Sequence, residues 1–259
     1  MNYWMRRLRV ALPWAVVGAL ASAAVMLALL PAAWITPQFA RQTGGHVNLV
    51  DPAGSLWHGS ATLMLAAGSD MSAATLLPGR IEWSTAFWPL FTGRVRMVMR
   101  HSEAMPDPIT VDATPRSATV TPGTIAVPAS LLSGLGAPFN TLDLQGNVQL
   151  SWSDWRSFNR EAFGQLTVTL NDVSSRVSMV KPLGSYRVSF QAQGASSTLD
   201  LTTLKGPLML SGNGTISAAS TSFRGTASAA PEARDNLAGL LNLLGRPSGP
   251  DSVTLTFAH

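Results

Sequence analysis

The feature that most constrains this chain is an uninterrupted run of 26 uncharged, mainly apolar residues from Val10 to Ile35. A helix of this length, at about 1.5 Å per residue, exceeds the roughly 30 Å hydrocarbon core of a bilayer. Arg6, Arg7 and Arg9 precede the run, and positive residues concentrate on the cytoplasmic side of a span. The organisation that this predicts has three parts: a cytoplasmic basic segment (1–9), a transmembrane helix (10–35) and an exported β-rich domain (36–259).

A cleaved signal peptide is the alternative for this segment. The apolar region of a signal peptide is usually about 7–15 residues long and ends in a small-x-small cleavage site. The run here is longer, and Pro31 to Trp34 matches the cleavage pattern poorly. Trp4 and Trp14 flank one end of the run and Trp34 flanks the other, as in the aromatic belts of membrane spans. We therefore favour an uncleaved anchor, and both interpretations export the rest of the chain.

The charge of the exported part argues against nucleic acid as a partner. The chain has 18 Lys and Arg, 14 Asp and Glu, and a formal net charge of +4. Three of the basic residues precede the span, which leaves 15 basic against 14 acidic side chains. Nucleic-acid-binding domains carry a basic patch, and a nearly neutral domain has no such footprint. Charged residues make up only 12% of the chain, about half the usual share, which suits a surface that meets protein or lipid.

Beyond residue 41, apolar residues mostly recur at every second position, which is the strand pattern. Val95, Met97 and Met99 alternate with arginines, and turn signals such as Gly146-Asn147 separate one run from the next. The pattern predicts about a dozen short strands in a mostly β fold, a curved antiparallel meander rather than βαβ units. The prolines of residues 102–122 either divide two sheet halves or form a crossover within one sheet.

Helical signals are few. The clearest covers Pro231 to Leu244, with a leucine stripe and a capping Gly245, and it predicts a short C-terminal helix. Shorter helices are expected over residues 128–136 and 153–163. The remaining apolar residues include five tryptophans, which either pack in the core or form a docking face: Trp57, Trp83, Trp88, Trp152 and Trp155.

The sequence holds no pattern of catalytic or metal-binding residues. Its histidines are His46, His58, His101 and His259, too far apart for a metal-binding helix face, and each is expected at the surface or an edge. Cysteine is absent, which excludes thiolate chemistry. Ser178 to Lys181 fits S-x-x-K, but the serine lies in a strand-like run and the K-T-G element of that chemistry is missing. We expect no enzymatic activity, no cofactor and no metal.

Several motifs, taken in order, resemble the type II secretion system protein N family. The basic N-terminus and single span end in Leu30-Pro-Ala-Ala-Trp34. The segment Gly54-Ser-Leu56-Trp57-His-Gly59 then looks like the family's G-x-L-W-x-G element, and Trp83 and Trp88-Pro-Leu follow it. The likeness continues to the C-terminal helix and final strand, so it covers nearly the whole chain.

The resemblance implies an accessory, non-enzymatic, single-pass component of the inner membrane with a periplasmic domain. Such a protein supports export of folded proteins across the outer membrane by contacting other secretion-system components. The residues that it marks as a family motif and candidate interaction site are Gly54, Leu56, Trp57, Gly59, Trp83 and Trp88. AsmA-type envelope proteins share the design of an anchor and a curved apolar sheet. Binding or transfer of lipid therefore stays open as the alternative function, and lipid as the alternative partner.

Overall fold

A computed structural model describes residues 18, 22, 25, 26, 29–68, 70–136, 139–159, 161–217, 220–249 and 251–258. The predicted cytoplasmic segment, with Arg6, Arg7 and Arg9, lies outside the described residues, as does most of the predicted span. Among the helices formed by the described residues, none has the length and apolar character needed to cross a membrane.

The described residues are mostly strand, as the alternating pattern predicts. The strands are β1 (Val47–Gly54), β2 (His58–Ala67), β3 (Asp70–Leu76), β4 (Ile81–Ala86), β5 (Val95–His101), β6 (Ile109–Ala113), β7 (Ser117–Val120), β8 (Gly123–Pro128), β9 (Leu144–Trp152), β10 (Trp155–Phe158), β11 (Glu161–Ser175), β12 (Gly184–Gly194), β13 (Ser196–Lys205), β14 (Leu208–Ser217), β15 (Thr221–Ala229), β16 (Arg246–Gly249) and β17 (Ser252–Ala258). The α-helices are α1 (Thr36–Gln42), α2 (Phe139–Leu142) and α3 (Arg234–Leu244), and 3₁₀ turns cover Ala32–Trp34, Trp88–Thr92, Ala129–Leu135 and Pro231–Ala233.

All strand pairings between the described residues are antiparallel, and they form one meander. From β1 the order of pairing is β2, β4, β5, β6, β7, β10, β11, β12, β13, β14, β15, β17 and β16. β1 and β16 pair on one side only within the part that the structure describes, so the curved sheet is open. Because β5, β6 and β7 pair in sequence, residues 102–122 do not divide two sheet halves; they contribute β6 and β7 to the one sheet and form no crossover.

Three long strands of this meander are broken by bends. β3 and β4 both pair with the same edge of β2, β7 and β8 follow one another along β10 and β9, and β9 and β10 share one edge of β11. Residues 153–163, predicted as a helix, belong to this arrangement, so that prediction is wrong. Trp155 and Ser157 alternate with exposed Arg156 and Phe158, and β10 completes a ladder between β7 and β11. The strand pairing thus overrides the local preference for a helix that the sequence indicated.

The predicted C-terminal helix is present over Pro231–Leu244, and it covers the apolar face of the sheet at one end of the strands. Leu237, Leu240 and Leu241 of α3 are buried against β15 and β17, and Gly245 ends the helix with an N–H bond to the Leu241 carbonyl. The Ala129–Leu135 turn, within the predicted 128–136 helix, and α2 cover the same face over β9.

The two faces of the sheet differ in polarity. Val148, Leu170 and Tyr186 are neighbours in the register on the covered face, while Gln149, Thr169 and Arg187, one position along, are neighbours on the other. Side chains alternate between faces along a strand, so the alternation in the sequence becomes one apolar and one polar face. The apolar face carries the principal core: Ala129, Leu142, Leu144, Val148, Val173, Leu183, Tyr186, Leu208, Ala227, Ala229, Ala233, Leu237, Leu240, Leu241, Val253 and Leu255.

Tyr186 gives this core a measurable pH dependence. Its hydroxyl is buried and donates a 3.0 Å hydrogen bond to the Leu208 carbonyl, and burial raises the pKa of the phenol above its ordinary value of 10.0. Replacing Tyr186 with Phe is expected to lower the free energy of unfolding by about 1 kcal/mol at neutral pH, because the carbonyl loses this donor.

The stabilisation by Tyr186 is complete below the unfolded-state pKa and is lost as the pH rises above it, since the unfolded phenol then ionises while the folded one does not. Urea unfolding of both proteins at about pH 8 and about pH 11 therefore should show stability falling more steeply in the wild type than in Tyr186→Phe. Equal losses in the two proteins would contradict this role.

Candidate functional site

The segment that resembles the family motif forms the tight turn between β1 and β2. Gly54 pairs with Gly59 across the turn and has φ +82°, and a Cβ at Gly54 would lie 2.5 Å from the His58 carbonyl oxygen. The Ser55 hydroxyl accepts hydrogen bonds from the backbone N–H groups of Trp57 (3.3 Å) and His58 (3.1 Å). The motif therefore specifies a backbone shape that only glycine accommodates at position 54.

Gly59 and Trp83 form the floor beneath this turn. Trp83 is buried with Ala32, Ala61 and Ile81 in a small core, and a Cβ at Gly59 would approach its ring carbon Cζ2 to 2.5 Å. The indole of Trp83 thus occupies the space that the absent side chain leaves. Trp83 is a core residue here and presents no surface to a partner.

Above the floor, four rings make an exposed group that we call the aromatic cluster: Trp57, Phe87, Trp88 and Phe91. Phe87 lies at the centre, with its ring centroid 5.2 Å from that of Trp57, 6.4 Å from that of Trp88 and 5.3 Å from that of Phe91. The Trp88–Thr92 turn presents the outer rings, and Gly93 ends it with φ +70°. Trp88 is 80% exposed and Phe91 72%, which is unusual for side chains of this size.

The β1–β2 turn also joins the end of the N-terminal apolar segment to the sheet. The Leu56 N–H donates to the Leu30 carbonyl (2.9 Å), and Pro31 and Ser55 form an antiparallel bridge. On the other side, the Thr85 N–H donates to the Trp57 carbonyl (2.7 Å). Leu56 and Trp57 are thereby fixed between the apolar segment and β4.

All six residues of the predicted site therefore lie at one end of the strands, although their structural roles differ. The turn and its floor are formed by Gly54, Gly59 and Trp83. Leu56 bonds the apolar segment to the turn. The aromatic cluster includes Trp57 and Trp88. Phe87 and Phe91 were not identified as site residues from the sequence. The segment Phe87-Trp-Pro-Leu-Phe91 carries the missed signal, since Pro89 cannot donate to a strand ladder and therefore indicates a turn.

A second apolar surface lies on the sheet itself, beyond the helices. Trp152, Leu166, Phe190 and Leu199 are consecutive neighbours in the register of β9, β11, β12 and β13, and we call them the open strip. All four are half-buried and lie on the same face as the principal core, and the rings of Trp155 and Phe190 stack at 6.1 Å. The open strip leaves the curved sheet with an uncovered apolar row.

Two of the side chains that the sequence singles out, His101 and Ser178, are buried in the structure. Within the described ranges, no group of three His, Cys, Asp or Glu could hold a metal ion. His101, expected at the surface, is buried, and that prediction is wrong: its Nδ1 accepts hydrogen bonds from the N–H groups of Glu103 and Ala104 at the end of β5. Ser178 is buried in a turn rather than in the expected strand, and its hydroxyl accepts from the Val180 N–H.

Comparison with known proteins gives one match. The family model described as type II secretion system (T2SS), protein N, matches residues 45–256, which is more than half of the chain and covers the sheet from β1 to β17. No curated protein and no solved structure matches the chain.

Proposed function

Because the chain belongs to the type II secretion system protein N family, we propose that it is an accessory inner-membrane component of that system, supporting export of folded periplasmic proteins through contacts with other components. In the proposed topology, residues 1–9 are cytoplasmic, residues 10–35 span the inner membrane and residues 36–259 form a periplasmic domain. Arg6, Arg7 and Arg9 support this orientation.

The observation that carries the proposal is the family match over residues 45–256, which includes the β1–β2 turn and the C-terminal helix. A role through contacts rather than chemistry is supported by the described titratable groups. Several of them form exposed ion pairs on the sheet surface, such as Arg80–Asp51 (2.7 Å) and Arg96–Asp112 (2.9 Å). Pairs of this kind are structural and worth little energy.

Affinity purification of the full-length protein from gently solubilised membranes tests the proposed contacts. We expect other secretion-system components to co-purify from a strain that makes the whole apparatus. The same bait in a strain without the apparatus genes is the control for unspecific capture. Recovery of no apparatus component from the complete strain would contradict the proposal.

Alanine substitutions test whether the role is non-enzymatic. The triple variant His58→Ala, Ser178→Ala, Lys181→Ala removes the histidine within the motif and both ends of the S-x-x-K pattern. We expect wild-type secretion of a type II substrate into the medium, because none of these groups takes part in chemistry. A large drop in secretion at an unchanged level of the variant protein would show that one of them does.

The open strip favours a second candidate function, which is binding of lipid acyl chains along the apolar face. Phe190→Ser places a hydroxyl in the middle of the strip, whereas Met209→Ser changes an exposed apolar side chain on β14, outside the strip. If the strip holds lipid, native mass spectrometry of the full-length protein will find less retained lipid in Phe190→Ser than in Met209→Ser. Equal retention in the two variants counts against this candidate.

A further inference from the structure

We propose that the aromatic cluster rests in the headgroup region of the same membrane that anchors the chain, so that the periplasmic domain has a second, lipid-facing contact. The partner is the bilayer surface and not a protein. This inference rests on the proposed topology, in which residues 10–35 span the membrane.

The position of the cluster at the end of the apolar segment is the first argument. Leu30 is near the end of the apolar run, and its carbonyl accepts a hydrogen bond from Leu56, the residue next to Trp57. Leu30 lies within the last six residues of the proposed span, so the β1–β2 turn is attached to the end of that span. Because Leu56 is bonded to Leu30, the aromatic cluster lies close to the point where the proposed span meets the domain.

Described residues on both sides of this junction also expose apolar side chains. Val25 and Met26 are helical and exposed, Leu29 is exposed just before the junction, and Trp34 is exposed just after it. Ala32 between them is buried in the small core with Trp83, which fixes the junction to the sheet. Exposed apolar side chains are therefore present on both sides of the junction as well as in the aromatic cluster.

The chemistry of the cluster suits a bilayer interface. Tryptophan has an apolar ring system and one polar N–H, and such residues concentrate at the level of the headgroups. Large exposed apolar patches are rare on soluble proteins and usually mark a contact with a partner or a membrane. Trp88 and Phe91 form such a patch. Edge-to-face contacts with Phe87 hold them in a fixed arrangement, so little side-chain freedom is lost on insertion.

Charge near the turn favours anionic headgroups. Arg94 follows the turn directly, is exposed, and donates its backbone N–H to the Pro89 carbonyl. In the sequence, no acidic residue occurs between Glu82 and Glu103. Arg94 therefore supplies an exposed positive charge next to the turn, which favours anionic lipid.

The absence of cysteine from the chain allows a direct test with single labels. An environment-sensitive fluorophore is attached to the full-length protein at Thr92→Cys, Val25→Cys or Met179→Cys. The proteins are reconstituted in liposomes of phosphatidylethanolamine and phosphatidylglycerol with brominated acyl chains. Met179 is exposed, and it follows the opposite strand end, where β11 ends.

We expect bromine to quench the labels at Thr92 and Val25 and to leave the label at Met179 unquenched. If the Val25 label is quenched but the Thr92 label is quenched no more than the Met179 label, the inference is overturned and the topology is left intact. An unquenched Val25 label would overturn the topology, and the inference with it.

Removing the outer rings tests whether they make the contact. With the label at Thr92, the variant Trp88→Ser, Phe91→Ser should lose its quenching down to the level of the Met179 label. The matched control Val177→Ser, Met179→Ser removes two exposed apolar side chains elsewhere and should leave the Thr92 signal unchanged. Quenching that persists without the rings would overturn the role of the aromatic cluster.

Discussion

Replacing Leu237 with alanine is expected to lower the free energy of unfolding by about 3–5 kcal/mol, the largest effect of any substitution considered for this protein. Leu237 is 0% exposed and lies in the helix that covers the principal core. Truncation at such a site loses the burial of the side chain and leaves a cavity in the packed layer between α3 and the sheet.

Leu243 provides the matched control, because it lies in the same helix and is 63% exposed. Leu243→Ala is expected to change stability by less than about 0.5 kcal/mol. Urea unfolding of the full-length proteins in mild detergent, followed by tryptophan fluorescence, measures both. Similar losses in the two variants would mean that α3 does not cover the core as described.

Gly59→Ala is expected to destabilise the protein by about 2–3 kcal/mol, because the added methyl group has no space. A Cβ at this position would lie 2.5 Å from Cζ2 of Trp83 and 2.7 Å from the Ser55 carbonyl oxygen. Trp83 is buried between other core residues and the Ser55 carbonyl belongs to the turn, so neither moves away without further cost. The substitution therefore strains the floor of the candidate site.

Gly239→Ala is the control of opposite sign. Gly239 is exposed within α3, and a Cβ there meets nothing within 4 Å. Alanine is the better helix former by about 1 kcal/mol, so this variant should be more stable than the wild type. The same unfolding experiment compares the two, and a Gly59→Ala protein as stable as the wild type would contradict the packing of Trp83 against the turn.

Much of the fold could be predicted because one periodicity runs through the chain beyond residue 41. The alternation of Val95, Met97 and Met99 with arginines forms β5, and the leucine stripe after Pro231 forms α3. Which strands share an edge was not predictable, since it depends on bends between strands and on pairings far apart in the sequence. The same long-range pairing turned Trp155 to Phe158 into a strand.

The location of the candidate site could be predicted, but the role of each residue within it could not. The motif identified the segment, and the positive φ at Gly54 explains why that position needs glycine. Trp83 lies in the alternating run that forms β4 and Trp88 directly precedes Pro89, but whether either ring is covered depends on the parts of the fold around it. The buried His101 accepts hydrogen bonds from backbone N–H groups of the loop after β5, and no spacing of residues in the sequence predicts such bonds.

The most direct test of the proposed role is the location of a type II substrate in a strain from which this gene has been deleted. We expect the folded substrate to accumulate in the periplasm, and expression of the full-length protein to restore its release into the medium. A periplasmic marker that the system does not export should stay in the cells throughout, which shows that the envelope is intact. Normal release of the substrate by the deletion strain would contradict a role of this protein in type II secretion.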